Sequence, residues 1–462
     1  MDSRHSTAAP VVLSFTHGTI MIEGASDDVL PSEYCEFDRR THTWRAMGSR
    51  YRDLVQYLID NQVPYEDRCQ QYERKPRSLV VERKPRPYQS EALTAWSQNQ
   101  RRGCIVLPTG AGKTYVAMMA IAAVNRSTLV IAPTLELVRQ WYDQLRLSFR
   151  EPVGIVGGGE HQVLPLTVST YDSAHLHMEH FGHRFGLVVF DECHHLPSES
   201  YRFAAEAAIA PFRLGLSATP ERSDGRESLL ESLIGPIIYR KEVTDLTGDF
   251  LAEYQVETVY VTLSPAERHA YEQARKYYLD FVRRKGIRFN RPGGWNEFIK
   301  IASRSKEGRL ALEAHREQRR LVHSAPSKLE YVEALLRRHQ DERSIIFTND
   351  NETAYAVARR FLLPIITHRT KVSQRSDILE KFKSGHYQAV VTSKVLNEGV
   401  DVPEASVAMI LSGSGSVREH VQRLGRILRK GKDKQAILYE LVAENTAEER
   451  TSHRRREHRA YR

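Results

Sequence analysis

Cysteine is scarce in this chain: Cys35, Cys69, Cys104 and Cys193 are the only four in 462 residues, they lie far apart, and none forms a CxxC pair. That spacing gives neither a zinc ribbon nor a disulfide framework. No run approaches the roughly 20 apolar residues of a membrane span. The opening MDSRHSTAAPVVLSF has a short apolar run that stops at Thr16-His17-Gly18, which does not read as a secretory signal. The expected compartment is the cytoplasm, at the nucleoid, with no membrane partner. An acidic excess is missing as well, since the net charge is +9.

The positive charge is concentrated. Residues 264–325 hold 15 Lys/Arg against 7 Asp/Glu, a local +8; 70–86 carries +4 and 448–462 carries +3. Solvated basic helices and a polyanionic partner, most simply nucleic acid, both account for this pattern. A hydrophobic content of 41% with 27% charged residues fits a globular chain, and its length suggests roughly three domains.

Apolar runs at 11–15 and 19–23 flank a His17-Gly18 turn and predict a hairpin. Further strand is expected over 35–46, then a helix over 50–61 capped by Ser49. This small α+β unit (1–70) precedes a basic linker (71–84) in which ERKPR begins its second copy, the first being at 73–77. From 103 onward, buried-looking strands at 105–107, 128–132, 166–169, 187–190 and 214–217 alternate with helix-like segments such as 112–123 and 135–148. A second series follows at 344–347, 389–392, 407–411 and 436–442. Such alternation predicts parallel sheets built from βαβ units, so the fold class is α/β with two tandem domains, 85–245 and 246–445, and a basic tail at 446–462. The charged stretch 264–325 opens with Ser264-Pro265-Ala266-Glu267, a capping box with proline at the first helical position.

Residues 103–118 read GCIVLPTGAGKTYVAM. An apolar strand runs into Thr109-Gly110-Ala111-Gly112-Lys113-Thr114 and then into a helix. Small glycines let backbone amides close around phosphate oxygens at a helix N-terminus. Lys113 would reach the β- and γ-phosphates of ATP, and the Thr114 hydroxyl would bind Mg²⁺. Leu107 stands where the strict pattern has glycine.

Residues 188–196, VVFDECHHL, crowd five potential metal ligands together. Structural zinc ligands come in spaced pairs, and adjacent His194 and His195 would point to different sides of the chain. A phosphate loop instead needs a downstream strand that ends in an acid for the Mg²⁺ shell, and Asp191 ends such a strand. Glu192 is then placed to polarise the attacking water, and His195 reads as a core histidine.

DECH beside PTGAGKT resembles the Asp-Glu-x-His box of superfamily 2 helicases. PYQSEAL (87–93), APTLELVRQW (132–141), STYDSA (169–174), LSATP (216–220), TSKVLNEGVDVP (392–403) and QRLGRILR (422–429) resemble the other motifs in their order. Closer still, the chain is similar to the xeroderma pigmentosum group B helicases in their short archaeal and bacterial form.

The resemblance implies a damage-recognition domain at the N-terminus, two RecA-like domains, a helical thumb at 264–325, and 3′-to-5′ movement in nucleotide excision repair or DNA opening. It implies roles as well. Gln89 would read adenine, and Gly399 and Asp401 would lie near the nucleotide. Gln422, Arg426 and Arg429 would face the γ-phosphate from the second domain across a cleft; Arg426 and Arg429 share a helix face. Ser217 and Thr219 would couple hydrolysis to domain movement, and His194 would join them to the ATP site. Thr134, Thr170 and Thr392 would contact DNA phosphates. Arg222 and Asp224 belong to a tripeptide tied to strand separation; the family has Arg-Glu-Asp where this chain has Arg222-Ser223-Asp224. That departure bears on unwinding and not on ATP hydrolysis.

In the thumb, Tyr271, Tyr277, Tyr278, Phe281, Trp295 and Phe298 among arginines suit either single-strand stacking or a core. DNA is the expected partner, with a nuclease or another repair or transcription protein, and the chain is expected as a monomer or in a hetero-complex. The competing readings are an RNA helicase, a double-strand translocase with little unwinding, and an ATP-gated non-catalytic DNA clamp. The intact Lys113, Asp191, Glu192, Arg426 and Arg429 argue against the clamp.

Overall fold

The computed structural model describes residues 10–26, 29–80, 83–222, 224–248, 250, 253–289, 291, 293–393, 405–412 and 435–456. The chain divides into two compact units, 1–242 and 243–462. The expected boundary lay after residue 245; the division falls after Glu242, ahead of a short helix at Val243–Leu246.

The first unit begins with the predicted hairpin. Strands β1 (Val11–Thr16) and β2 (Thr19–Glu23) pair antiparallel. They turn through His17 and Gly18, both left-handed at φ 48° and 78°, as a tight hairpin of this hand requires. With β3 (Glu36–Asp38), β4 (Thr43–Met47) and β5 (Tyr65–Asp67) they make a sheet of order β3-β4-β2-β1-β5. The helix Tyr51–Asp60 buries Tyr51, Leu54 and Leu58 at helical spacing. Ser49 does not cap it. The cap position is Arg50, without a side-chain bond, and Ser49 lies in the 3₁₀ turn Gly48–Arg50. Tertiary packing sets that turn: Gly48 N donates to Gly18 O at 3.0 Å, and a Cβ on Gly48 would meet the Ala207 carbonyl at 2.8 Å.

The segment read as a linker lies pinned along the following α/β sheet. Glu73 N donates to Ser127 Oγ at 3.0 Å, Arg77 N to Asn125 Oδ1 at 2.7 Å, and Val80 N to Ser148 O at 2.8 Å. The Arg77 guanidinium is buried against Glu151 at 3.2 Å.

The sheet it borders contains β6 (Arg102–Val106), β7 (Thr128–Ala132), β8 (Gly154–Gly157), β9 (Glu160–His161), β10 (Leu166–Thr170), β11 (Leu187–Asp191), β12 (Phe212–Ser217) and β13 (Ile237–Arg240). Their order is β13-β6-β12-β11-β7-β10-β8-β9, parallel except for the β8–β9 hairpin. Strands β7, β10 and β11 are buried along their whole length, as expected of a sheet covered on both faces. The helices Lys113–Val124 and Leu135–Phe149 stand where the periodicity predicted them.

The second unit holds β14 (Glu253–Val261), β15 (Ser344–Phe347), β16 (Ile365–Ile366), β17 (Ala389–Thr392), β18 (Val407–Ile410) and β19 (Gln435–Ala443). They form a wholly parallel sheet of order β14-β19-β18-β15-β17-β16. The basic stretch is three helices, Pro265–Arg284, Gly294–Ala302 and Lys306–His323. The predicted capping box is present: Glu267 N donates to Ser264 Oγ at 3.3 Å, and Ser264 N to the Glu267 carboxylate at 2.7 Å. Tyr271, Tyr278, Phe281 and Phe298 are buried, whereas Tyr277 and Trp295 are exposed. No helix among the described residues is long and apolar enough to cross a membrane.

Candidate nucleotide site and its coupling loop

The phosphate loop follows β6. Leu107, fully buried, donates its amide to Ser217 O at 3.0 Å, so the apolar residue in the first glycine's place holds the loop to the sheet. Gly110 and Gly112 adopt φ 85° and 82°, conformations that only glycine reaches without strain. A Cβ on Gly112 would sit 2.6 Å from Gln89 Nε2. Lys113 begins the helix Lys113–Val124, and its Nζ donates to Leu107 O at 3.1 Å and Pro108 O at 3.4 Å. Thr114, in the first turn, is half-buried. The loop ends at a helix N-terminus whose first amides lack intrahelical acceptors, a cradle that fits phosphate.

Gln89, expected to read adenine, lies against the phosphate loop. It is fully buried, its Oε1 accepts from Arg86 N at 3.0 Å, and its Nε2 donates to Ala111 O at 3.0 Å. Tyr88 OH also donates to Ala111 O, at 2.7 Å. In this geometry Gln89 braces the loop.

Asp191 ends β11, separated from β6 by β12 alone. Its carboxylate accepts from Trp141 Nε1 at 2.8 Å and from the Glu192 amide at 3.1 Å. Burial, followed by the neighbouring Glu192 charge, pushes its pKa up to about 6, against the pull of the Trp141 donor and Lys113. A carboxylate destabilised in this way gains by meeting a cation. Glu192 takes a left-handed backbone, φ 48°, a strained conformation for a residue with a side chain.

Glu192 Oε2 lies 3.5 Å from His194 Nδ1, which lies 3.1 Å from Ser217 Oγ at the end of β12. Ser217 Oγ accepts the Thr219 amide at 3.1 Å, and Arg222 donates to His194 O at 2.5 Å while gripping Asp224 at 2.8 and 2.7 Å. One chain of contacts thus runs from the acidic pair to the Arg222–Asp224 loop. His195 packs beside His194, ring centroids 4.4 Å apart.

Thr134 and Thr170 are helix caps: Thr134 Oγ1 accepts from Leu137 N at 3.3 Å and Thr170 Oγ1 from Ser173 N at 3.1 Å. Thr134 lies just past β7 and Thr170 ends the paired strand β10, so two helix N-termini stand side by side. Thr392 is fully buried and donates to Ser393 O at 3.1 Å; its hydroxyl is turned inward. Gly399, Asp401, Gln422, Arg426 and Arg429, and Ser223 in the first unit, lie outside the described residues. Sequence reasoning missed Trp141 and Tyr88. Trp141 falls on the buried stripe of its helix with Val138 and Leu145, and a buried indole N–H needs an acceptor; that signal pointed to an acid nearby.

A phosphate loop with a buried Asp191 and the adjoining Glu192 at the end of a strand of the same parallel sheet makes the first unit a P-loop nucleoside triphosphatase core, and the second unit repeats the parallel α/β plan. The chain belongs to the XPB family of superfamily 2 helicases. Residues 308–460 match the ERCC3/RAD25/XPB C-terminal helicase family, 13–69 the xeroderma pigmentosum group B helicase damage recognition domain, and 82–222 the type III restriction enzyme res subunit. The chain is 41% identical over 415 residues to the DNA 3′-5′ translocase XPB2 of Sulfurisphaera tokodaii, covering 90% of this chain and 94% of that one. It is 34% identical to the DNA 3′-5′ helicase XPB of Kineococcus radiotolerans, covering 80% and 62% respectively. Among solved structures, the Pyrococcus furiosus Hef helicase domain superposes with a TM-score of 0.55 at 22% identity, over 80% of this chain and 97% of that one, a likeness of fold.

Proposed function

We propose that this protein is an ATP-driven DNA translocase that moves 3′ to 5′ and opens DNA, in nucleotide excision repair or a related process, with a nuclease or transcription protein as partner. The carrying observation is the contact chain from Asp191 and Glu192 to His194, whose ring meets Ser217 and whose backbone carbonyl accepts from Arg222. It joins a triphosphatase centre to a loop outside it.

The residues divide the work as follows. Thr109, Gly110 and Gly112 shape the loop, and its amides with the Lys113 ammonium hold the β- and γ-phosphates. Thr114 and Asp191 would hold a Mg²⁺ ion, which would supply positive charge beside the phosphate oxygens. Glu192 orients the attacking water and draws off its proton. Gln422, Arg426 and Arg429 keep the phosphate-facing roles that their motif implies, and Gly399 and Asp401 a place near the nucleotide. His194, Ser217 and Thr219 pass the change in Glu192's surroundings to Arg222 and Asp224. The helix N-termini at Thr134 and Thr170 hold strand phosphates, contacts that position DNA without reading sequence.

A second reading, a double-strand translocase with little unwinding, is favoured by Ser223 where the family has Glu. Strand displacement on 3′- and 5′-tailed DNA duplexes with ATP tests both. Displacement from the 3′-tailed substrate alone supports the helicase. Triplex displacement without duplex opening supports the translocase. ATP turnover stimulated by RNA as strongly as by DNA overturns both.

A further inference from the structure

His194 ties the acidic strand β11 to the coupling loop, and a separate contact ties the same strand to one of the helix N-termini read as DNA contacts. Thr170 closes β10 and caps the helix Tyr171–Phe181, so Tyr171 is the first helical residue after it. In the sheet β7 lies between β10 and β11. The Tyr171 side chain reaches across that strand, and its hydroxyl donates to Asp191 O at 3.0 Å. The residue is fully buried. Burial raises its pKa well above the usual tyrosine range, so the hydroxyl stays a donor.

The carbonyl that Tyr171 holds belongs to the Asp191–Glu192 peptide. The amide of that same peptide donates to the Asp191 carboxylate at 3.1 Å. A peptide unit is planar, so one rigid plate presents its oxygen to Tyr171 and its N–H to the carboxylate read as the Mg²⁺ ligand. Turning the plate also changes φ of Glu192, which stands at 48° in the left-handed region. Strain of this kind persists only where the surroundings over-determine it, and the Tyr171 hydroxyl is one of the groups that hold the plate.

The helix meets the same segment a second time. Tyr201, beyond the acidic box, donates its hydroxyl to Oδ1 of Asp172, the second residue of the helix, at 2.7 Å. The Tyr171 and Tyr201 ring centroids lie 5.3 Å apart, and the Tyr171 centroid lies 6.0 Å from that of His195. Aromatic rings thus fill the space between the first turn of the helix and residues 191–201. A close-packed interior transmits a displacement and does not absorb it, so a shift of that turn is passed to the acidic box.

We propose that Tyr171 is a positioning residue that makes ATP hydrolysis respond to DNA. A strand phosphate seated at Thr170 draws on the first amides of the helix. Tyr171 carries that displacement to the Asp191–Glu192 peptide, and so sets the Asp191 carboxylate and Glu192 for attack on the γ-phosphate. The role rests on the reading of Thr170 as a DNA contact and of Asp191 and Glu192 as the acids of the hydrolytic centre. The His194 contacts run from those acids out to the Arg222 loop, whereas the Tyr171 contact runs from the DNA-facing helix in to the acids.

The test measures ATP turnover by the full chain with and without a saturating 3′-tailed DNA duplex, and DNA affinity by fluorescence anisotropy. Tyr171→Phe keeps the ring and removes the hydroxyl. The ratio of stimulated to unstimulated turnover should fall roughly three- to tenfold, the rate equivalent of one buried hydrogen bond. The change should lie in kcat, with KM for ATP and the DNA dissociation constant as in the parent. Tyr201→Phe, at a half-buried position, should lower the same ratio by a smaller factor, and it decides alone if the first variant does not fold. An undiminished ratio in the folded variants, or stimulated and unstimulated rates that fall in equal proportion, overturns the coupling and leaves the DNA-translocase reading standing. A parent whose turnover ignores DNA overturns both, so the parent tells the two failures apart.

Discussion

The Nδ1 atom of His194 and the hydroxyl of Ser217 lie 3.1 Å apart, and both are fully buried. This contact ties the acidic strand β11 to the loop after β12, and the same hydroxyl accepts the Thr219 amide. Ser217→Ala removes two buried hydrogen bonds without touching a phosphate-binding atom, at a cost of about 1–3 kcal/mol in stability. The expected outcome is ATP turnover within a few-fold of the parent and strand displacement reduced by about tenfold or more. Parallel ATPase and displacement assays on one preparation check it. Loss of both activities in step would place Ser217 in the hydrolytic centre.

The phosphate loop has its own exposed weakness. Gly112→Ala would put a Cβ 2.6 Å from Gln89 Nε2 at a residue whose φ is 82°. A left-handed backbone costs about 1–2 kcal/mol for a residue with a side chain. Since Gln89 braces Ala111, the clash also moves the loop. Misplacing reacting groups by about an ångström costs on the order of a hundredfold in rate, so turnover should fall by that factor while the protein stays folded. Lys113→Ala and Glu192→Gln should abolish turnover, and the second should keep nucleotide binding, as measured with a fluorescent ATP analogue.

Much of this centre could be read from the chain because its signals are local. TGAGKT combines the glycines and the lysine in one turn, and the apolar strands before Thr109 and Asp191 are continuous runs because both faces of a parallel sheet are covered. What escaped was non-local. Ser49 loses the cap position because Gly48 is held by Gly18 and Ala207. Strands β8 and β9 are short and joined through glycines, so they lack a sustained apolar run. Residues 71–80 read as a polar connector because their partners are backbone and side-chain atoms of Asn125, Ser127 and Ser148, far off in sequence. The motif implied that Gln89 reads adenine, and its bonds to Arg86 and Ala111 depend on a loop more than twenty residues away.

Trp141 gives a prediction in pH. Its N–H donates to the charged form of Asp191 and lowers a pKa that burial raises to about 6. Magnesium binding needs the ionised carboxylate, so Mg-ATP affinity should weaken as pH falls through about 6. Trp141→Phe keeps most of the buried surface and removes the donor. The acid limb should then move to higher pH, with the plateau near pH 8 little changed. Nucleotide titrations between pH 5.5 and 8 read this, and an unmoved limb would remove Trp141 from the electrostatics of the site.

The helical stretch at 265–323 carries an acid-sensitive element of its own. His315 packs between the rings of Tyr278 and Trp295, with centroids at 4.8 and 4.9 Å. Burial, then the charges of Arg319 and Arg316, lowers its pKa from 6.5 to about 4. The folded helices therefore keep this imidazole neutral while the unfolded chain protonates it near pH 6.5. Between those two values the unfolded state binds more protons, so stability present above pH 6.5 is lost as pH falls toward 4. Trp295 reports the change, because it contacts the ring and is half exposed at 43%. Urea midpoints followed by tryptophan fluorescence should fall between pH 7 and 5 in the parent, and His315→Phe should remove part of that fall, since an aromatic ring of similar size cannot protonate. An equal fall in both proteins would assign the acid sensitivity to other groups.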